Sequence, residues 1–397
     1  MTLLQSPDTL KKTPLYDRHA SLGGKLVDFN GWALPVYYTG IIPPPVCSDP
    51  QKADRPAFAG QTGGGIIAEH LWTRESCSFF DVSHLGEIEV SGPAAFEFLQ
   101  RRLTCDLSKS GPGRMIYGLL CDENGCALDD ILVYCGAKQD FHLIVNAANI
   151  GRDVTEFRKY AAGDVRIEDH SDDMACIAVQ GPESERILEK LFGLNLKDMV
   201  YYTFKEEKIS GRTVWTSRSG YTGEDGFELF CLNEAAPALW DALAGPGKKE
   251  GAMPAGLGAR NTLRLEAGNP LYGHELDEST TPLEAGLGFA IGWDKGDFVG
   301  RQALWRQKQG GLKKRLVGFR MKDKAVARDG YEIFKNGKPV GRVTSGSFAP
   351  SVGGNIGLAF VATGQENLGN EIEIEIHGRL SKAQIVRRPF VALKHKK

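Results

Sequence analysis

The chain has 397 residues, 42% hydrophobic and 25% charged, with a formal net charge of −2. That length supports two or three domains, and the composition is that of an ordinary folded protein. The charge balance leaves no footprint for duplex nucleic acid, and no apolar run reaches the ~18 residues of a membrane-spanning helix.

The N-terminal dozen residues are polar, with Asp8 against Lys11 and Lys12. They lack the apolar core of a signal peptide and the Arg-rich, acid-poor character of a transit peptide, so the expected location is the cytosol. The eight cysteines are scattered and form no C-x-x-C pair. Cys121 and Cys126 lack a second pair and lack histidines at zinc spacing, so no metal is expected and the thiols read as small buried hydrophobes.

In chain order, residues 13–19 begin a short helix and 25–29 form a strand. Gly40-Ile41-Ile42 then recurs as Gly65-Ile66-Ile67, and the stretch between is rich in Pro, Gly and polar residues. Residues 41–65 therefore read as an inserted loop. A helical pattern covers 68–76, and Asp81-Val-Ser-His84 leads into a strand at 87–90. Gly92-Pro93 opens a helix to about Leu103, since proline suits a first helical turn. The arrangement returns at 176–182, where Gly181-Pro182 precedes a helix carrying Ile187, Leu188 and Leu191. Strand, Gly-Pro, helix appears twice, which predicts two related α+β units.

Between those units, Asp129-Asp130 follows a turn and enters a strand. Alternation puts the two aspartates on opposite faces, one solvated and one pointing inward. An inward aspartate needs a partner or a proton, and either makes it useful in catalysis. The plain alternative is a pair of solvated turn acids. Asn146 ends the next strand, 141–147, where a polar side chain meets a ligand.

Arg218-Ser-Gly-Tyr-Thr-Gly-Glu-Asp-Gly-Phe-Glu228 places glycines at every third position between strands at 213–216 and 227–230. A glycine-fixed turn bearing Glu224, Asp225 and Glu228 is either a solvated surface hairpin or a ligand site. Glu228 leaves a strand with two coplanar acceptor oxygens, which match an edge with two adjacent N–H donors, such as the amino-pyrimidinone of a pterin. Tyr221 offers a stacking face.

Gly256-Leu-Gly-Ala-Arg260-Asn261 fails as a dinucleotide fingerprint at its third glycine, and no strand is expected before it. Arg260, near a helix start, suits an anionic ligand group. Residues 300–313 read as a connector. Beyond Arg315 several short strands follow, with Asn336-Gly337 as a hairpin turn and 371–376 alternating strictly, so a small barrel or sandwich is expected.

Together these stretches resemble the aminomethyltransferase (T-protein) family of the glycine cleavage system. The matching motifs are Thr13-Pro-Leu-Tyr16, Asp28-Phe-Asn-Gly-Trp32, Phe80-Asp-Val-Ser-His84, Asp129-Asp130, Ile144-Val-Asn-Ala147, Gln180-Gly-Pro182, Gly220-Tyr-Thr-Gly-Glu-Asp-Gly226, Pro254-Ala-Gly-Leu-Gly-Ala-Arg260 and Arg264-Leu-Glu-Ala267. They run in order over about residues 13–392.

The resemblance implies an α+β, three-domain cloverleaf. Residues 13–300 would hold a folate-binding core of two interleaved units, 301–314 the connector and 315–393 an antiparallel β-barrel, with tetrahydrofolate in the central hole. It implies transfer of the aminomethyl carbon from the lipoyl arm of a partner H-protein to tetrahydrofolate. The products would be 5,10-methylenetetrahydrofolate, ammonia and the dihydrolipoyl arm, with no metal required. Asp130 matches the family's key acid, Glu228 and Arg260 match substrate-binding positions, and Tyr117, Asn146, Tyr201 and Tyr221 match positions lining the folate pocket.

The sequence departs from the family at Cys126, where a second glycine is usual, and at Ile131, where leucine is usual. A folate-dependent demethylase and a non-catalytic folate-binding protein share the same superfamily. The iron–sulfur-maintenance branch would need a cysteine motif where 220–226 has none.

Overall fold

The computed structural model describes residues 9–40, 64–137 and 139–396. The predicted inserted loop, 41–65, lies outside the described residues except for its last two.

The chain opens with α1 (Tyr16–Ser21) and a hairpin of β1 (Gly24–Phe29) and β2 (Trp32–Tyr38), then α2 (Ile66–Glu75) and β3 (Cys77–Asp81). The first repeat follows as β4 (Gly86–Ser91), α3 (Ala95–Arg102), β5 (Arg114–Cys121), β6 (Ala127–Cys135), β7 (Asp140–Val145), α4 (Ile150–Tyr160) and β8 (Arg166–Asp169). The second is β9 (Met174–Gln180), α5 (Ser184–Phe192), β10 (Thr203–Ile209), β11 (Arg212–Arg218), β12 (Gly226–Leu232), α6 (Ala236–Ala244), α7 (Pro246–Lys249) and β13 (Ala252–Pro254).

All strands from β3 to β13 join one 11-stranded sheet in the order β13-β3-β9-β12-β11-β10-β5-β6-β7-β4-β8. From the middle outward, each repeat reads first strand after the helix, second, third, then the strand before the helix. The halves are thus related by an approximate two-fold axis, and their equivalent strands β10 and β5 meet at the seam through Thr203 and Arg114. The predicted pair of related units is present. β3 precedes the first repeat in sequence but pairs within the second half, against β9 and β13.

Each half has its own apolar core. Phe79, Ile177, Phe227, Leu229 and Trp240 fill one; Ile88, Leu99, Ile131, Leu143 and Phe157 fill the other. A further cluster joins the opposite faces of the halves: Phe80, Met115, Tyr134, Phe230, and Ala259 and Leu263 of α8 (Leu257–Glu266). Residues 227–230 of β12 are buried on both sides: Phe227 and Leu229 face one core, and Phe230 faces the other.

α8 is the hub of the molecule. A side chain on Gly256 or Gly258 would collide with the Val36 backbone, so glycine there lets the helix start lie against β2. The short β13 does precede this helix, contrary to the sequence expectation; three residues are too few to show an alternating pattern. On its other side, Leu265 packs with Leu316, Ile356 and Phe360 of the C-terminal domain, and Arg264 bonds Glu275 and Ser345.

After α9 (Arg301–Gly310), six antiparallel strands close a barrel: β14 (Lys314–Met321), β15 (Glu332–Lys335), β16 (Lys338–Ala349), β17 (Gly354–Ala362), β18 (Glu371–Ile376) and β19 (Arg379–Val386), in the order β14-β17-β16-β15-β18-β19. Asn336 and Gly337 form the two-residue turn between β15 and β16, both with positive φ. Ile372 and Ile374 of β18 point into the barrel core, as the alternation predicts. No helix among the described residues is long and apolar enough to cross a membrane.

Candidate active site

Both carboxylates singled out in the sequence leave the same side of the sheet. Asp130 shares its face of β6 with Leu132 and Tyr134, and Glu228 shares its face of β12 with Phe230; these apolar neighbours belong to the cluster that α8 covers.

Asp130 is held by two donors. The Tyr117 hydroxyl on β5 donates to Oδ2 at 2.9 Å, and Asn146 Nδ2, just past β7, donates to Oδ1 at 2.8 Å. Asn146 Nδ2 also donates to Asp129 Oδ1 at 2.7 Å, so its two amide hydrogens serve two carboxylates. Asp129 further accepts from the Asn146 backbone N–H at 3.0 Å and from Asn149 Nδ2 at 2.7 Å.

The expectation of one solvated aspartate fails. Asp129 does face away from Asp130, but α4 covers that face, so Asp129 is fully buried beside Asn149 and Asp153. Burial raises the Asp129 pKa. Burial and the Asp129 charge push Asp153 up to about 10, so Asp153 holds a proton at neutral pH. Burial, then the Asp129 charge, pushes Asp130 up to about 7, with Tyr117 and Asn146 pulling the other way. A carboxyl near neutrality can give or take a proton at working pH.

Glu228 is 8% exposed and accepts a hydrogen bond from the Ser219 hydroxyl. Ser219 Oγ lies 3.0 Å from Ser217 Oγ, which accepts from Tyr134 at 2.9 Å. Burial raises the Glu228 pKa, while Ser219 and the Arg260 charge pull it down. Arg260 lies half-buried on α8 with its guanidinium 4.7 Å from the centre of the Tyr221 ring. The Tyr221 hydroxyl donates to the Pro270 carbonyl, which fixes the ring.

Tyr201 is placed differently from the other tyrosines. Its ring is stacked on both faces, by Tyr202 at 4.5 Å and by His395 at 4.1 Å, so it offers an edge and not a free face. Burial raises the Tyr202 phenol to about 12, and the charges of both Glu228 and Asp130 add to the shift. Tyr202 has a φ of +64°, unusual for a tyrosine, and its carbonyl accepts from Met115 N–H at 2.9 Å across the seam of the two halves. Nothing in the sequence announces it, because a left-handed position at a tyrosine has no local signature. Asp153 and Asn149 were equally silent, being ordinary polar residues of a helix until that helix lies on β6. Phe289, 77% exposed, stacks on Tyr117 with centroids 6.1 Å apart.

The glycine-rich turn is a scaffold. A Cβ on Gly220 or Gly226 would strike the Gln180 side chain, whose Nε2 donates to the Ser219 carbonyl at 3.0 Å and whose Oε1 accepts from Thr222 at 2.8 Å. Its acids are not solvated. Glu224 is buried with Arg74 at 3.1 Å and Lys394 at 3.1 Å, and Asp225 pairs with Arg218. Of the three carboxylates in this stretch, Glu228 alone has no lysine or arginine in an ion pair with it among the described residues.

Fold and site together define an α+β protein with a duplicated sheet, a C-terminal barrel and two carboxylates, buried Glu228 and half-buried Asp130, among tyrosines on one face. Residues 15–295 match the family model described as the GCVT N-terminal domain, and residues 314–392 match the Glycine cleavage T-protein C-terminal barrel domain. The chain belongs to the glycine cleavage T-protein family. It is 44% identical over 393 residues to an aminomethyltransferase of Thermoanaerobacter sp. (strain X514), covering 98% of this chain and 100% of that one. It is 42% identical over 383 residues to an aminomethyltransferase of Bacillus subtilis (strain 168), covering 96% and 99%. The crystal structure of glycine cleavage system aminomethyltransferase T from Bartonella henselae superposes with a TM-score of 0.86 at 32% identity, covering 98% of this chain and 100% of that one.

Proposed function

We infer that this chain is the aminomethyltransferase of a glycine cleavage system. It transfers the methylene carbon of the aminomethyl group on the lipoyl arm of H-protein to tetrahydrofolate, releasing ammonia and leaving the dihydrolipoyl arm. The observation that carries this reading is the pairing of Asp130 and Glu228 on one sheet face in opposite electrostatic settings, in a chain aligned end to end with aminomethyltransferases.

The residues suit the acceptor. Glu228 offers a fixed acceptor for the two N–H donors of the pterin edge, with Ser219 occupying only part of its capacity. Tyr221, Tyr202 and the Tyr201 edge supply aromatic surface beside it. Arg260, its charge already felt by Glu228, is the cation for an anionic part of the ligand. Asp130, held by Tyr117 and Asn146, can orient the attacking nitrogen and take the proton it loses. Phe289 over Tyr117 is an apolar contact for the incoming lipoyl arm. The cytosolic reading agrees with seven unpaired cysteines among the described residues.

Turnover with tetrahydrofolate and aminomethyl-loaded H-protein tests the assignment, with ammonia and methylenetetrahydrofolate measured together. Equal yields of both are expected. Folate binding with no turnover would make the chain a binding protein. Turnover of a different methyl donor alone would make it a demethylase.

A further inference from the structure

At the outer edge of the first half, two histidines and three carboxylates gather on one side of three adjacent strands. Glu89 of β4 lies directly across from His142 of β7 on one flank and from Glu168 of β8 on the other. Residues opposite each other on neighbouring strands keep their Cβ atoms about 4.5–5.5 Å apart, so strand register fixes this row. Asp140 stands two positions before His142 and His170 two positions after Glu168, so both join the same side. One ligand atom from each of Glu89, Asp140 and His142 lies within 4.8 Å of the others, and the same holds for Glu89, Glu168 and His170.

The spacings separate two readings of the cluster. His142 Nε2 is 3.6 Å from Asp140 Oδ1; His170 Nε2 is 3.4 Å from Glu89 Oε2 and 3.7 Å from Glu168 Oε2. A charge-assisted hydrogen bond would draw such atoms to about 2.7–2.9 Å. Two ligands each about 2.0–2.1 Å from a tetrahedral zinc ion lie roughly 3.3 Å apart, near the 3.6 Å between His142 and Asp140. Asp140 Oδ1 is buried and accepts no hydrogen bond among the described residues. The Trp215 ring meets His142 edge-on at 4.2 Å and restrains it. Among the described residues no lysine or arginine forms an ion pair with Glu89, Asp140 or Glu168. Three carboxylates are thus gathered without a fixed cation.

We propose that Glu89, Asp140 and His142 bind one divalent ion of the zinc class, with water completing the tetrahedron and His170 and Glu168 flanking it. Mixed imidazole and carboxylate donors suit zinc among the common divalent ions. His142 is four residues along β7 from Asn146, about 13 Å at strand rise, so the ion would stand apart from Asp130. Its role would be to tie β4 to β7 at the edge of the sheet, while the transfer chemistry runs without it.

The test uses the full-length protein, stripped with a chelator and titrated with zinc sulfate against a chromophoric competitor. One tight equivalent is expected. His142→Ala and Asp140→Asn should each weaken it by about tenfold or more, and His170→Ala should weaken it less. Zinc should raise the melting temperature of the wild type but not of His142→Ala. Asp140→Asn, a near-isosteric change at a partly exposed strand end, guards against loss through misfolding, with circular dichroism as the check on both variants. Three results would overturn the assignment: no zinc bound by the wild type, wild-type affinity kept in both His142→Ala and Asp140→Asn, or binding lost in His170→Ala but kept in His142→Ala.

Discussion

In the first half of the sheet a carboxylate on β6 has two more acids behind it; in the second, a carboxylate on β12 has a serine and an arginine beside it. The strands around them follow the same order. The neighbours differ, and so does the proton chemistry. Burial and then the Asp129 charge make it costly for Asp130 to carry charge, and it titrates at about 7. Burial raises the Glu228 pKa, and Ser219 and Arg260 offset part of that rise. One backbone plan thus yields a carboxylate beside a negative charge and a carboxylate beside a positive one. The difference comes from what each strand has beside it: α4, on the far face of β6, buries Asp129 behind Asp130, and α8, on the near face, brings Arg260 toward Glu228.

The largest effect we expect tests whether Glu228 stands alone in its half. Glu224→Ala leaves Arg74 buried with part of its pairing gone, a loss of about 3–5 kcal/mol of stability measured by urea unfolding. Folate affinity of the remaining folded protein should be unaffected. If stability holds and affinity falls, Glu224 and not Glu228 reads the ligand.

Asp130→Asn should keep the fold and folate binding but lower turnover by roughly 10²-fold or more, the usual contribution of a positioned acid or base. The ionised form of Asp130 grows as pH rises through about 7, so wild-type turnover should climb over that range and the variant's should not. Full activity in the variant would remove Asp130 from the mechanism.

Glu228→Gln sets one donor against another at the pterin edge. It should weaken tetrahydrofolate binding by about 1–3 kcal/mol, roughly 5- to 150-fold, with less effect on the rate of bound chemistry. Calorimetric titration decides; unchanged affinity would place the pterin elsewhere.

Asp153→Asn is the mildest change and the sharpest probe of the first half. Between the ordinary aspartate value of about 4 and the raised value of about 10, folded wild type holds a proton that the unfolded chain releases. Stability therefore falls as pH rises across that window. The amide keeps the donor and cannot ionise. Its melting temperature should match wild type near pH 4, where both states keep the proton, and decline less as pH rises to 9. Parallel declines would show that Asp153 is not the proton holder.

Much of this protein was written locally in its chain. The repeated strand, Gly-Pro and helix announced the duplicated units, because proline at a helix start and glycine before it are local backbone requirements. Strict alternation at 371–376 and the Asn336-Gly337 turn announced barrel strands for the same reason. Asp130, Asn146 and Glu228 could be singled out because each stands at a strand position or strand end that a short motif defines.

Tertiary structure decided the rest. Whether Asp129 and Glu224 are wet or dry depends on α4 and on Arg74, which come from distant stretches of chain. Tyr202 gained its place through the seam between β5 and β10, and Tyr201 lost a free face to His395 near the far end of the sequence. A residue's type and spacing fix its backbone preference, but its solvation and charge environment depend on what packs against it, and that is a property of the whole fold.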